Sequence, residues 1–363
     1  MRWAAQLLSG EPARDPVAVV ERLLAVQAQD PRGARLAIRA RTAGLSATDV
    51  DRALTDRALC ISWLCRRTLH LVRREDYGWL QALTTPPLHT GNTRRLAQEG
   101  VTPDAAERGV AVIERCLAAE GPLTREQLRE RIRAAGVRTE GQALVHLLEL
   151  ASLRGLIVRG PITDRGRHAF VLVRDWFGDP GAVDRDAALA ELARRYLAGH
   201  GPAGDRDLAK WAGLPLRDVR RGLAAIASEL EQGSDGLVDL AGRPGGDVLP
   251  APRLLGAFDP VLHGWATREP ILGPHEPRVV SGGLFRPFVL AAGRGVALWR
   301  LAGAAVEVTP FEPLAEEVTS ALASDGEDVV RFLGIGRVTT DRVTRDVRRT
   351  TACGVRPPQT SSL

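Results

Sequence analysis

Cysteine is scarce in this chain, and the little there is forms no pattern. The four cysteines, Cys60, Cys65, Cys116 and Cys353, include no CxxC pair, so neither a zinc site nor a disulfide framework is supported. Lysine and methionine are nearly absent: Lys210 is the one lysine among 49 basic residues, and there is a single methionine. Such a bias can record a GC-rich genome, yet arginine is also the side chain best suited to forked contacts with phosphate. No apolar run approaches the length of a membrane span. The opening Met-Arg-Trp-Ala-Ala-Gln lacks the apolar core of a signal peptide, and a soluble protein of a reducing cytoplasm is expected. Hydrolytic and phosphate-binding signatures are missing too, with no GxSxG, P-loop or HExxH, and Gly334-Ile335-Gly336 is too short for a dinucleotide motif. An enzyme built on this chain runs without a standard nucleophile; neither metal nor cofactor is expected.

What is present reads as a series of helical modules. The 363 residues are 44% hydrophobic with a net charge of +5, which supports real cores and permits a polyanionic partner. Asp15-Pro16 and Asp30-Pro31 each set a capping carboxylate before a proline at the first helical position. Helices are predicted near 16–26, 31–43 and 47–56, then one strand over 61–72 and a short helix over 74–83. Three helices followed by a strand is the order of a winged helix-turn-helix. A second such unit opens at Thr102-Pro103, with helices near 104–119, 124–134 and 140–153, a capping box at Thr124 and Gln127, and strands over 156–159 and 168–173.

A third unit repeats the plan: Gly121-Pro122 with Leu128 recurs as Gly201-Pro202 with Leu208, and Ala135-Gly136-Val137 as Ala212-Gly213-Leu214. Helix 216–230 and a strand over 236–240 follow. Beyond about 245 the pattern turns to strands over 254–259, 285–291, 295–301 and 305–309, with Ala292-Gly293-Arg294 as a hairpin tip, and helices near 312–323 and 326–333. The fold class expected is α+β, mainly α. Its units are 1–100, 101–180 and 181–248, a β-rich part over 249–336, and a disordered Arg- and Thr-rich tail over 337–363.

Gln27 and Gln29 are one residue apart where the first apolar helix face stops, and they share a side only if the chain is extended there. Alone, the pair reads as a polar loop closing a helix. If aligned, two amides could hold a water or a sugar oxygen without carrying charge. On a strand, Arg66, Thr68 and His70 would share one face and could line a cleft. Asp259 reads as a turn former before Pro260, and His89, His146, His168, His200 and His275 lack ligand spacing. Helix 140–153 has no basic face and reads as core. Helix 216–230 carries Arg217, Arg220 and Arg221 and suits phosphate better, but neither helix offers the side chains of a sequence reader.

With these residues in view, the chain resembles the winged-helix bacterial DNA glycosylases that unhook interstrand crosslinks, the AlkZ/YcaQ-like family. The matching segments are Gln27-Ala28-Gln29-Asp30-Pro31, Arg66-Arg67-Thr68-Leu69-His70-Leu71, Phe258-Asp259-Pro260 with Leu262 and Gly264, and Arg286-Pro287 leading to Gly293-Arg294 and Trp299-Arg300. They fall in family order over roughly 1–335, except that the family usually has glycine where Arg67 stands. The resemblance implies tandem winged-helix units forming a C-shaped scaffold with a basic channel. It implies Gln27 and Gln29 as the catalytic element, with Asp30, His70, Thr68 and Arg66 as assistants. Gln29, rather than aspartate, points to the branch that removes bulky or crosslinking N7-alkylguanine, in repair or in self-resistance to a genotoxin.

The expected partner is duplex DNA carrying alkylated bases, bound by a monomer at the nucleoid, away from membranes. Arg32, Arg35, Arg39, Arg217, Arg220, Arg221, Arg286, Arg294 and Arg300 are expected to contact DNA, with the 292–295 tip as a groove probe. The competing expectation is a non-catalytic winged-helix DNA-binding protein or regulator.

Overall fold

A computed structural model describes residues 1–163, 166–178, 181–243 and 248–335; the tail expected over 337–363 lies outside the described residues. The chain is mainly helical with small antiparallel sheets, an α+β protein. Its helix starts follow the local chemistry. Asp15 accepts from the Ala18 amide at 2.7 Å and Asp30 from the Arg32 amide at 3.1 Å, while Thr124 and Gln127 cap each other reciprocally.

One topology recurs three times. In the first unit helix Pro16–Leu23 leads to the short strand β1 (Val26–Gln27), helices Pro31–Arg39 and Ala47–Thr55, and the hairpin β2 (Leu59–Trp63) and β3 (Leu69–Arg73), with β1 pairing to β3. The second unit has helix Pro103–Glu120, β4 (Leu123–Thr124), helices Arg125–Ala134 and Ala143–Leu153, and hairpin β5 (Ile157–Ile162) and β6 (His168–Leu172), with β4 on β6. The third has helices Arg185–His200, Asp205–Ala212 and Leu216–Ala225 and the hairpin β7 (Leu230–Gln232) and β8 (Val238–Leu240), with Ala203 bridging to Val238. Each is a winged helix. The first two wings join edge to edge through Ile61 and Arg159, giving one six-stranded sheet.

Several expected boundaries shift, each for a physical reason. The first helix ends at Leu23 rather than 26, because Leu24 takes φ +64° and throws the chain into an extended conformation. The strand expected over 61–72 is a hairpin, turned at Cys65–Arg67 through left-handed Arg66 (φ +56°) and Arg67 (φ +64°). That turn contains no glycine, asparagine or proline to announce it. The third-unit helix stops at Ala225, and the two C-terminal helices are one, Glu316–Leu333.

The C-terminal part is a four-stranded sheet, β9 (Arg253–Leu255), β12 (Phe288–Ala291), β13 (Arg294–Ala302) and β14 (Ala305–Pro310), with the small hairpin β10 (Val280–Ser281) and β11 (Leu284–Phe285) between β9 and β12 in the chain. It docks closely on the first unit: a Cβ on Gly33 would lie 2.2 Å from the Ala257 carbonyl oxygen. Buried ion pairs fix that contact. Arg41 and Asp259, both fully enclosed, meet through two bonds of 2.9 and 2.8 Å.

Arg39 is likewise enclosed, its side chain 1% exposed, and bonds Asp325 through both terminal nitrogens, the Asp328 carboxylate and the Leu254 carbonyl. The expectation that Arg39 contacts DNA is therefore corrected: it is a strut between the helix Pro31–Arg39 and the C-terminal part. Removing one partner of such a pair costs about 3–5 kcal/mol.

Candidate active site

The early helix stop at Leu23 decides the geometry of the glutamine pair. With β1 extended, Ala28 donates to the Leu69 carbonyl at 2.7 Å and its methyl is buried, while Gln27 and Gln29 leave on the opposite side. Gln27 pairs in register with His70 on β3, and His70 with Ser62 on β2. Directly opposed residues point to the same face of a sheet. Gln27, His70 and Ser62 therefore form a polar row across three mainly apolar strands, with Gln27 6% and His70 2% exposed. Gln29 lies beyond the row's edge and is exposed.

The hairpin turn supplies the donors that orient both amides. Arg66 Nη2 donates to Gln27 Oε1 at 3.4 Å, and the Leu69 amide donates to Gln29 Oε1 at 3.4 Å. Each carboxamide oxygen thus takes one bond from the hairpin, which leaves it a second lone pair and its NH2 for a ligand. Arg66 Nη2 also lies 3.5 Å from His70 Nε2. His70 Nδ1 donates to the Thr68 carbonyl at 3.0 Å, which fixes the tautomer and leaves Nε2 as a lone pair facing Arg66. Burial, reinforced by the Arg66 charge, pushes the imidazole down to about 3. The site holds two amides and a neutral imidazole.

The assistants named from sequence divide. Arg66 and His70 come together with Gln27, though through the turn rather than on one strand face as expected. The Thr68 hydroxyl donates to the Cys65 carbonyl at 3.1 Å and serves the turn. Asp30 caps the next helix. Asp259 caps Val261 and holds Arg41, so it is structural.

Three residues that sequence reasoning passed over belong to the surroundings. His263, inside the motif Phe258–Gly264, lies tilted against Phe285 at 4.4 Å and parallel to Phe258 at 6.2 Å, and the Arg268 guanidinium covers Phe285 at 5.0 Å. Burial holds His263 well below the usual imidazole range, and the nearby cations Arg66, Arg268 and Lys210 act in the same direction. The available signal was a histidine inside a motif already singled out; the left-handed backbone of Phe258 (φ +59°) shows only in the structure. Phe285 ends the β10–β11 hairpin, whose Gly282-Gly283 tip carries Leu284, 69% exposed. The 292–295 tip, in contrast, packs on Trp3: a Cβ on Gly293 would lie 2.9 Å from that ring.

The other expected DNA contacts lie on the surface in differing states. Arg32, Arg286 and Arg294 are exposed. Arg35 is half-buried and bonds Asp51. Arg217, Arg220 and Arg221 pair with Asp218, Asp205 and Asp186, and Arg300 with Glu307. Exposed pairs of this kind are worth at most about 1 kcal/mol and exchange readily for phosphate.

Comparison with known proteins accounts for the motif order. The family model "DNA glycosylase AlkZ-like" matches residues 20–332. An interstrand DNA cross-link repair glycosylase of Streptomyces sahachiroi is 29% identical, over 93% of this chain and 96% of that protein. The solved structure of the DNA glycosylase AlkZ of Streptomyces sahachiroi superposes with a TM-score of 0.74 at 25% identity, covering 93% of this chain and 96% of its own. The chain belongs to the AlkZ-like DNA glycosylase family, enzymes that hydrolyse the N-glycosyl bond.

Proposed function

We propose that this protein hydrolyses the N-glycosidic bond of cationic N7-alkylguanine in duplex DNA, including bulky adducts and interstrand crosslinks. The observation that carries the reading is the polar row with Gln29 at its edge, which brings two oriented amides and a neutral imidazole together. Amides are feeble acids and bases, so they suit a leaving group that needs no protonation. An N7-alkylated guanine is such a group. As the C1′–N9 bond breaks, its electron pair neutralises the cationic base; water adds its oxygen to C1′ and loses a proton to solvent.

One carboxamide NH2 of the Gln27 and Gln29 pair donates to that water and leaves the water's second lone pair for C1′. The free lone pair of a carboxamide oxygen accepts a hydrogen bond from a water proton and turns negative charge toward the developing sugar cation. A crosslinked base is tied to the opposite strand and cannot enter an enclosed pocket as flipped bases do. Gln29 and the Leu284 tip are accordingly at the surface, where an apolar wedge can part a base step. Arg32, Arg286 and Arg294 serve as phosphate contacts, the four winged and β-rich units act as one scaffold, and the protein works as a monomer.

The test is release of 7-methylguanine from alkylated duplex by the wild type and by Gln27→Ala with Gln29→Ala. Release by the wild type that falls at least about a hundredfold in the double variant is expected. Tight retention of duplex with no base release would instead favour the non-catalytic DNA-binding reading.

A further inference from the structure

Arg66 holds an unusual position for a half-buried cation. It arises on the left-handed turn of the β2–β3 hairpin, at φ +56°, where the third unit crowds it: a Cβ on Gly213 would lie 3.1 Å from the Arg66 amide nitrogen. Its Nη2 meets only neutral acceptors, the Gln27 carbonyl oxygen and the His70 lone pair, both at long range. Its Nη1 is shielded from solvent and has no hydrogen-bond partner among the described residues. No carboxylate among the described residues pairs with it, in contrast to Arg39, Arg41 and Arg67, which lie in the same part of the chain and all have one. The charges that act on it include a second cation, Arg268, and burial weakens its hold on its own proton.

A guanidinium largely withdrawn from water and facing only neutral groups is costly unless an anion completes it. It is also out of place beside a reacting sugar that becomes cationic, because like charges would raise the barrier. Both difficulties disappear if a phosphate arrives with the substrate. We propose that Arg66, its guanidinium turning to bring the unpartnered Nη1 into reach, receives a DNA backbone phosphate flanking the damaged nucleotide. That phosphate neutralises the site and sets C1′ against the Gln27 and Gln29 amides, with Arg268 and Lys210 adding to the field. Among the described residues the Lys210 ammonium bonds only the Ala266 carbonyl, which leaves it free to swing. The inference rests on the glycosylase reading above.

The experiment measures binding of the full chain to a duplex with a tetrahydrofuran abasic analogue, in which single methylphosphonate linkages replace phosphates one at a time. Because this duplex cannot be cleaved, the result does not depend on base release. In the wild type, one linkage flanking the analogue should cost about tenfold in affinity when neutralised, more than distal ones. In Arg66→Gln the same substitution should cost almost nothing further, and the salt dependence of log affinity should flatten by about one ion. A role limited to orienting Gln27 would leave the salt slope unchanged and make the two losses multiply. That outcome overturns the proposal, as would flanking linkages no more sensitive than distal ones, a result the wild type alone can give if Arg66→Gln does not fold. Absence of 7-methylguanine release with this phosphate pattern intact would count against the N7-alkylguanine reading and leave the phosphate site standing.

Discussion

Gln27 and His70 pair across adjacent strands and are themselves uncharged, and this has consequences at the residue scale. The amides do not titrate, and His70 stays neutral down to about pH 3. Single-turnover base release should therefore be flat between about pH 6.5 and 8.5; an apparent pKa near the ordinary histidine value of about 6.5 would contradict the assignment. Folding should respond in one direction. Below pH ~6.5 the unfolded chain protonates His70 and the folded one does not. The stability contributed by the neutral imidazole is complete above that pH and lost as pH falls toward 3. His200, pushed down to about 3 mainly by burial, acts the same way. Thermal unfolding at pH 7.5 and pH 5 should show a lower melting temperature at pH 5.

At the scale of elements, the β2–β3 turn concentrates what is peculiar to this chain. Arg67 occupies the left-handed region at φ +64°, which explains why glycine suits this position in the family. Here the strain is held by an ion pair: Arg67 bonds Glu149, whose carboxylate is 3% exposed and also meets His146 at 3.0 Å. Arg67→Gly should relieve the backbone yet strand that carboxylate, for a net loss of about 1–3 kcal/mol. Equilibrium urea unfolding reads this. Equal or greater stability in the variant would mean the pair is only decorative.

Legibility followed the range of the interactions. Asp15, Asp30 and Thr124 could be read as caps because their partners lie within three residues. The 65–67 turn could not, since arginines take the conformation that glycine or asparagine would have announced. Nor could the edge-to-edge joining of β2 to β5, where Ile61 finds Arg159 across most of two units. His70 and the glutamines were visible as residues, but their alignment depended on Leu24 breaking the helix.

At the scale of the whole molecule, the β-rich part and the winged units share buried polar struts. Asp325 illustrates why Arg39 was misread from sequence: its partner lies 286 positions away, in a Ser-Asp-Gly stretch that looks like a helix break. Asp325 also accepts from the Leu254 amide at 2.7 Å and meets Arg253. Asp325→Ala should cost about 3–5 kcal/mol by leaving Arg39 enclosed without its main anion. A change below about 1 kcal/mol in chemical unfolding would show that solvent or Asp328 replaces it.

These struts hold the Phe258–Arg268 segment against the hairpin turn, so the site is a property of the assembly of units rather than of the first one. The most direct measurement is single-turnover release of 7-methylguanine from alkylated duplex by the wild type, Gln27→Ala and Gln29→Ala, with melting temperatures alongside. Release by the wild type, with each single variant slowed by about a hundredfold or more at unchanged stability, is the predicted result. Full activity in both variants would contradict the assignment of the amide pair.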